Sequence, residues 1–199
     1  MKIGIIDYGM GNLHSVSNAL TYLGIDSVIS SDPQILNKTD KLILPGVGAF
    51  KDAMNELKKA KLVDWIKEAT SNDIPFLGIC LGMQLVFETS EEHGLSKGLG
   101  LITGDIKKLN VPLKIPHMGW NKLNIKQEEP LFKGLANEIY VYFVHSYYLE
   151  TNDNIISATT NYGKEIQVAA QSNNIFALQF HPEKSGETGL VILSNFARI

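Results

Sequence analysis

Residues 74–88 read IPFLGICLGMQLVFE, and this stretch decides how the rest of the chain is understood. Ile74, Phe76, Leu77 and Ile79 make a short, nearly continuous apolar run, the pattern of a buried strand. Leu81, Leu85 and Phe87 then recur near helical spacing. Between strand and helix stands Cys80, flanked by Gly78 and Gly82. This is a strand–nucleophile–helix elbow written G-x-C-x-G instead of G-x-S-x-G. The glycines follow from the geometry such a turn needs. A sharp turn forces the nucleophile's backbone into a strained region, and neighbours without a Cβ let strand and helix approach closely. The start of the helix favours negative charge and therefore the thiolate. A lone cysteine in an apolar run is otherwise an inert core residue, so a catalytic assignment needs a base elsewhere in the chain.

Composition bounds the possibilities. The 199 residues are 44% hydrophobic and 20% charged, which suits one globular α/β domain, 1–199, with a real core. The net charge is −3, with a pI near 5.9. No basic block appears, which speaks against a nucleic-acid partner. A single cysteine excludes a disulfide framework and a C-x-x-C metal or redox pair. The apolar run in MKIGIIDYG is too short for a signal peptide, and no stretch approaches a membrane span. The expected setting is the cytoplasm.

On either side of the elbow the chain alternates strands and helices. Residues 2–7 and 41–45 read as buried strands and 27–30 as a short one. A helix is expected over 12–23, where Leu13, Val16, Leu20 and Leu23 share a face and Gly24 can end it. Gly9-Met10-Gly11 suggests a dinucleotide turn, but His14 occupies the place of the third glycine. Gly46-Val47-Gly48 follows the 41–45 strand and precedes a helix expected over 50–70. It is either a tight loop or a source of backbone N–H donors beside the elbow. Glu91-Glu92-His93-Gly94 reads as a surface loop, with His93 exposed. From 99 to 180 strands and turns take over: 99–109, 119–125, 139–150, 155–160, and a hairpin of 164–171 with 175–180 around Ser172-Asn173-Asn174. A last helix is expected over 187–197. The fold class is α/β: a doubly wound, flavodoxin-like mixed sheet with helices on both faces and an added antiparallel region in the second half. Ligands of such sheets bind at the carboxyl ends of the parallel strands, where Cys80 and Gly46–Gly48 both fall.

The base is found far downstream. Leu178-Gln179-Phe180-His181-Pro182-Glu183 places a histidine before a proline, which biases His181 toward an extended conformation. In an extended segment residues i and i+2 point the same way, so Glu183 can hold the imidazole and set its tautomer. His181 alone could be an ordinary strand-end histidine and Glu183 a surface carboxylate. Joined to an elbow cysteine, they supply nucleophile, base and orienter for acyl transfer.

GICLGMQ at 78–84 together with FHPE at 180–183 resembles the class I, or triad, glutamine amidotransferases. DYGMGNLHSV at 7–16, LPGVGAF at 44–50, PHMGWN at 116–121, YFVHSYY at 142–148 and HPEKSG at 181–186 are similar to the glutaminase subunits of imidazole glycerol phosphate synthases. The resemblance runs from the first residue to the last and implies a free-standing subunit. It implies that Cys80 attacks the side-chain amide of glutamine to give a glutamyl thioester and ammonia. His181 would relay the proton and then activate water, with Glu183 orienting it. Leu81 N–H and the Val47–Gly48 loop would form the oxyanion hole, and Gly48, Gln84, Ser146 and Tyr147 would bind the substrate. Ammonia would pass to a (β/α)8 cyclase subunit in a heterodimer that serves histidine biosynthesis. Asn12, Trp120 and Asn121 would face that partner. No metal or organic cofactor is implied.

His117 and His145 could each be claimed as a second base, but structural or interface roles fit their polar-aromatic surroundings better. Two other readings compete. One is another elbow-cysteine hydrolase, such as a peptidase or stress-type protein, against which Gln84 and the H-P-E sequence speak. The other is a non-catalytic regulatory subunit, against which the intact Cys80, His181 and Glu183 speak.

Overall fold

The computed structural model describes residues 1–126, 130–136 and 138–199. The first half runs β1 (Lys2–Ile6), α1 (Leu13–Tyr22), β2 (Asp26–Ser30), α2 (Pro33–Leu36), β3 (Lys41–Gly46), α3 (Phe50–Lys59), α4 (Leu62–Ser71), β4 (Phe76–Cys80) and α5 (Leu81–Leu85). The second half runs β5 (Thr89–Ser90), β6 (Ser96–Lys97), β7 (Asp105–Lys108), β8 (His117–Ile125), β9 (Ile139–His145), β10 (Tyr147–Glu150), β11 (Ile156–Asn161), β12 (Glu165–Ser172), β13 (Ile175–Leu178) and α6 (Gly186–Arg198).

Five strands in the order β2-β1-β3-β4-β13 are parallel. The chain then turns antiparallel through β12, where the sheet divides. One arm continues through β10, β7, β5 and β6, and the other through β11, β8 and β9. The alternation of the central strands explains the two-sided core. Ile3, Ile5, Ile43, Leu77 and Ile79 pack with Val16 and Leu20 of α1 and Ile192, Leu193 and Phe196 of α6. Ile6, Leu42, Leu44 and Phe76 point the other way, against Phe50, Leu57, Leu62, Ile66 and Leu81. A period of two on a sheet covered on both faces gives this division. The expected fold class is what the chain adopts.

Several elements differ from expectation. The helix expected over 50–70 is two helices, broken at Lys61, which has a left-handed φ of 58°. Continuing the buried stripe Phe50, Ala53, Met54, Leu57 by helical steps would drive Lys61 and Asp64 inward. The break resets the phase, so that Leu62, Ile66 and Ala69 are buried instead. The elbow helix stops at Leu85, before Phe87. Carbonyls 85–88 accept the N–H groups of Leu99, Leu101, Gly100 and Gly98 in place of helical partners. The same bonds keep 99–104 out of the strand expected over 99–109, which forms only at Asp105–Lys108. The strand expected over 139–150 divides at Ser146, because β9 pairs with β8 while β10 pairs with β7. The short α2 was not anticipated, although its signal is plain: Asp32 caps the Gln34 N–H at 2.8 Å and Pro33 opens the helix.

Candidate active site

β3 and β4 lie side by side in parallel, and Gly46 pairs in register with Cys80. The two sequence features at strand ends thus meet directly. Cys80 has φ 55° and ψ −110°, the strained elbow conformation. A Cβ on Gly82 would lie 1.8 Å from the Leu44 carbonyl oxygen, and one on Gly78 would lie 2.7 Å from the Gly82 oxygen. Only hydrogen fits at either position, so the flanking glycines are dictated by the approach of α5 to β3 and β4.

A cleft of about 420 Å³ opens over this junction. Cys80, Leu81, Gln84 and His181 line it, together with Val47 and Gly48 from the β3 loop and Ser146 and Tyr147 from the β9–β10 break. Every residue expected in the oxyanion hole or at the substrate is therefore here. A larger, open groove of about 680 Å³ at Lys126, Thr159, Glu165 and Gln167 has no cysteine or histidine among the described residues that line it. Among the described residues, no group of three or more His, Cys, Asp or Glu side chains is placed to hold a metal ion.

His181 reaches the cleft beyond the end of β13. Its Nδ1 bonds Glu183 Oε1 at 2.7 Å, and both side chains are buried. That bond leaves Nε2 for Cys80. The i to i+2 contact is as expected, but its geometry is not that of an extended run. His181 is extended, at φ −98° and ψ 96°, and Glu183 sits in a 3-10 turn, Pro182–Lys184. β9 clamps this turn: His181 N–H donates to the Tyr142 oxygen at 3.0 Å, and Tyr142 N–H donates to Ser185 Oγ at 3.0 Å. Burial disfavours the imidazolium, but the interactions with Cys80 and Glu183 outweigh it and push the His181 pKa up to about 9. The ring is thus held in its protonated form beside the Cys80 sulfur.

Three further residues bear on the cleft that the sequence did not reveal. Gln179 is fully buried; its Nε2 lies 3.8 Å from Cys80 Sγ, and its Oε1 accepts from Gln84 Nε2 at 3.0 Å. Gln84 Nε2 also donates to the Tyr147 carbonyl at 3.3 Å. Glu92, expected in a surface loop, lines the cleft and accepts the Phe50 N–H at 2.7 Å. Its carboxylate stands at the start of α3, directly after the glycine loop. Val144 completes the wall, its carbonyl 3.9 Å from Cys80 Sγ. All three lie in stretches quoted from the sequence, but Gln179 and Val144 stood there only as neighbours of His181 and His145, and at Glu92 the local signal pointed to solvent, as it does correctly for His93.

His117 and His145 form a buried pair. His145 Nδ1 must donate to the Tyr147 carbonyl at 2.8 Å, so its Nε2 accepts from His117 Nδ1 at 3.0 Å. His117 Nε2 then accepts from Asn121 Nδ2 at 3.2 Å. Both nitrogens of each ring are engaged, so neither histidine offers a free base. Burial pulls His117 down to about 4 and His145 to about 3.

On the opposite face of β8 and β9 lie exposed Met118, Trp120 and Tyr140; Trp120 is 57% exposed and its ring sits edge-on to Tyr142, 6.2 Å away. Asn121 points the other way, its amide spent on Asn161 O and His117. Asn12 stands at the start of α1, partly buried, and its side chain does not cap the helix. Among the described residues, no helix is long and apolar enough to cross a membrane.

Comparison with known proteins now adds to this geometry. Residues 4–199 match the family described as "Glutamine amidotransferase class-I". The chain is 52% identical over 198 residues to the imidazole glycerol phosphate synthase subunit HisH of Caldanaerobacter subterraneus subsp. tengcongensis, covering 99% of this chain and 98% of that one. It is 50% identical over 194 residues to the HisH subunit of Bacillus cereus (strain G9842), covering 98% and 93%. The structure titled PurLQS from Thermotoga maritima shares the fold, with a TM-score of 0.78 and 19% identity over 99% of this chain and 97% of that one.

Proposed function

Since the chain belongs to the class I glutamine amidotransferase family, we propose that it hydrolyses glutamine through Cys80, His181 and Glu183 and hands the ammonia to the cyclase subunit of an imidazole glycerol phosphate synthase. The observation that carries this reading is the coincidence of a strained elbow Cys80 with the buried His181–Glu183 pair in one cleft, in a chain half identical to HisH subunits over nearly its full length.

The chemistry follows from the atoms present. The Cys80 thiolate attacks the side-chain carbonyl carbon of glutamine. The negative charge moves to the carbonyl oxygen, where the Leu81 N–H and an N–H of the Val47–Gly48 loop receive it. His181, its proton held by the neighbouring thiolate and Glu183, gives that proton to the departing ammonia, leaving a glutamyl thioester. The now neutral imidazole takes a proton from water, which attacks the thioester and releases glutamate. Glu183 keeps Nδ1 protonated throughout and so keeps Nε2 aimed at the reaction. Gln84, Ser146 and Tyr147 hold the amino-acid end, and the Glu92 carboxylate at the cleft is a fitting partner for the substrate ammonium.

The (β/α)8 cyclase partner docks on the apolar face of β8 and β9, around Met118, Trp120 and Tyr140. This face adjoins the clamp on the His181 turn, because Tyr142 touches Trp120 on one side and bonds residues 181 and 185 through its backbone. Residues 1–199 act as one domain in this role.

The test is Cys80→Ala in the two-subunit complex. Glutamine-dependent synthesis of imidazole glycerol phosphate should be abolished, while synthesis from added ammonia is retained. Glutamine-dependent turnover surviving in the variant would show that Cys80 is not the nucleophile.

A further inference from the structure

Tyr8 follows β1, is 3% exposed, and does not line the cleft. Its hydroxyl finds no hydrogen-bond partner among the described residues. A buried, unpaired hydroxyl is a cost that phenylalanine would not carry, and its position needs a reason.

The hydroxyl lies against one particular place. A Cβ built on Gly46 would be 2.5 Å from Tyr8 Oη, and that same point is 2.9 Å from both Gly82 N and Leu81 Cβ. The oxygen therefore sits where β3 ends and α5 begins, beneath the backbone that offers N–H donors to the cleft. Val47 lines the cleft and Gly46 does not. The peptide joining them passes from the side of Tyr8 to the side of the substrate.

A trans peptide points its N–H and its C=O in opposite directions. Turning the Val47 N–H into the cleft, toward an oxyanion, turns the Gly46 carbonyl away from it, into the buried region that Tyr8 occupies. A buried carbonyl needs a donor there. Burial, and then the neighbouring Cys80 thiolate, drive the Tyr8 pKa well above its usual value. The hydroxyl thus keeps its proton during turnover and is available as that donor. Gly46 puts no Cβ in the way, whereas one there would crowd the hydroxyl oxygen at 2.5 Å.

We propose that Tyr8 is a positioning residue for glutamine hydrolysis, its hydroxyl donating to the Gly46 carbonyl and so holding the Val47 N–H toward the oxyanion. The proposal rests on the glutaminase reading above and adds a residue that does not line the cleft. In this arrangement the hydroxyl is unpaired while the loop rests and paired while it works, so the working orientation of the loop gains one hydrogen bond over the resting one.

Tyr8→Phe removes one oxygen and keeps the ring. In the complex with the cyclase subunit, kcat for glutamine hydrolysis should fall roughly five- to tenfold, the worth of one neutral hydrogen bond. KM should not change, and neither should the rate of Cys80 alkylation by a glutamine-analogue electrophile. The melting temperature should stay level or rise, because an unpaired buried hydroxyl has gone. Lower turnover in a protein of equal or greater stability is a signature that a merely structural residue does not give. A kcat within twofold of wild type overturns the proposal. So does a rise in KM alone, or alkylation slowed in step with kcat, since either would place Tyr8 at the substrate or the sulfur. An inactive wild-type complex would instead refute the proposed function before any variant was compared.

Discussion

Gly189→Ala sets two known effects against each other, and the structure decides between them. Gly189 lies in α6, the helix that backs the turn carrying Glu183. Replacing glycine by alanine inside a helix ordinarily stabilises by about 0.5–1 kcal/mol. Here the new Cβ would lie 1.8 Å from the Pro182 carbonyl oxygen, 2.7 Å from its carbon and 2.9 Å from Ser185 Cβ. The two nearest atoms are backbone, so no side chain can swing aside. Helix and turn must part by more than 1 Å to reach ordinary contact. Overpacking of this kind costs about 1–3 kcal/mol, which exceeds the propensity gain. The net loss of roughly 1 kcal/mol should lower the melting temperature by about 2–4 °C in a chain of this size. The larger effect should be on catalysis. Ser185 Oγ donates to the His181 oxygen at 2.6 Å, so displacement of the turn is carried to the imidazole. A misplacement of about 1 Å at a reacting group can cost 10²-fold. Partner-stimulated glutaminase kcat should therefore drop about 10²-fold, while synthesis from added ammonia by the same complex is unchanged. Both are read by following glutamate and imidazole glycerol phosphate, beside a thermal melt. A variant that melts higher than wild type and turns over glutamine at the wild-type rate would refute the packing argument.

Other perturbations separate the remaining roles. Trp120→Ala should weaken docking of the cyclase subunit by about 2 kcal/mol or more, the scale of an exposed aromatic anchor, with little change in melting temperature; unchanged affinity with a large fall in stability would place Trp120 in the fold instead. Gly48 has φ 98°, where alanine is strained, while the nearest atom to its Cβ is the flexible Met10 Cε at 2.8 Å. Gly48→Ala should cut stimulated glutaminase turnover by up to the 10²–10³-fold worth of an oxyanion donor, leaving Cys80 alkylation and partner binding intact; wild-type stimulated turnover would make the glycine an ordinary turn residue. For pH, His117 and His145 are held neutral, their pKa values lowered to about 4 and about 3. Unfolded imidazoles, near 6.5, take up protons first, so this stability is present above about pH 6.5 and is lost as pH falls toward 4. His181, raised to about 9, works in the opposite sense, its contribution complete below about pH 6.5 and lost as pH rises through 9. Urea unfolding from pH 4 to 7 should become less pH-dependent in His117→Gln; an unchanged slope would show that the pair is not buried in its neutral form.

The nucleophile elbow was legible in seven residues because its demands are local. Cys80 needs a strained backbone, Gly78 and Gly82 need to lack a Cβ, and the flanking periodicities give strand and helix. The pairing of His181 with Glu183 was legible too, being two residues apart, although a 3-10 turn rather than an extended run brings it about. Alternating strands and helices in the first half gave the parallel sheet, and with it the meeting of Gly46 and Cys80. What the sequence could not show are contacts that depend on which strands become neighbours. Glu92 looked like a solvated loop residue because nothing near it in the chain reveals that it closes on Phe50, 42 positions away. Gln179 and Gln84, 95 positions apart, meet only because β13 inserts beside β4. The break at Lys61 and the early end of the elbow helix were decided by which face had to be buried and which carbonyls other segments claimed. Backbone sterics act within a few residues and leave their mark in the sequence, whereas burial and hydrogen-bond pairing are settled by the whole sheet, and only the tertiary structure holds that information.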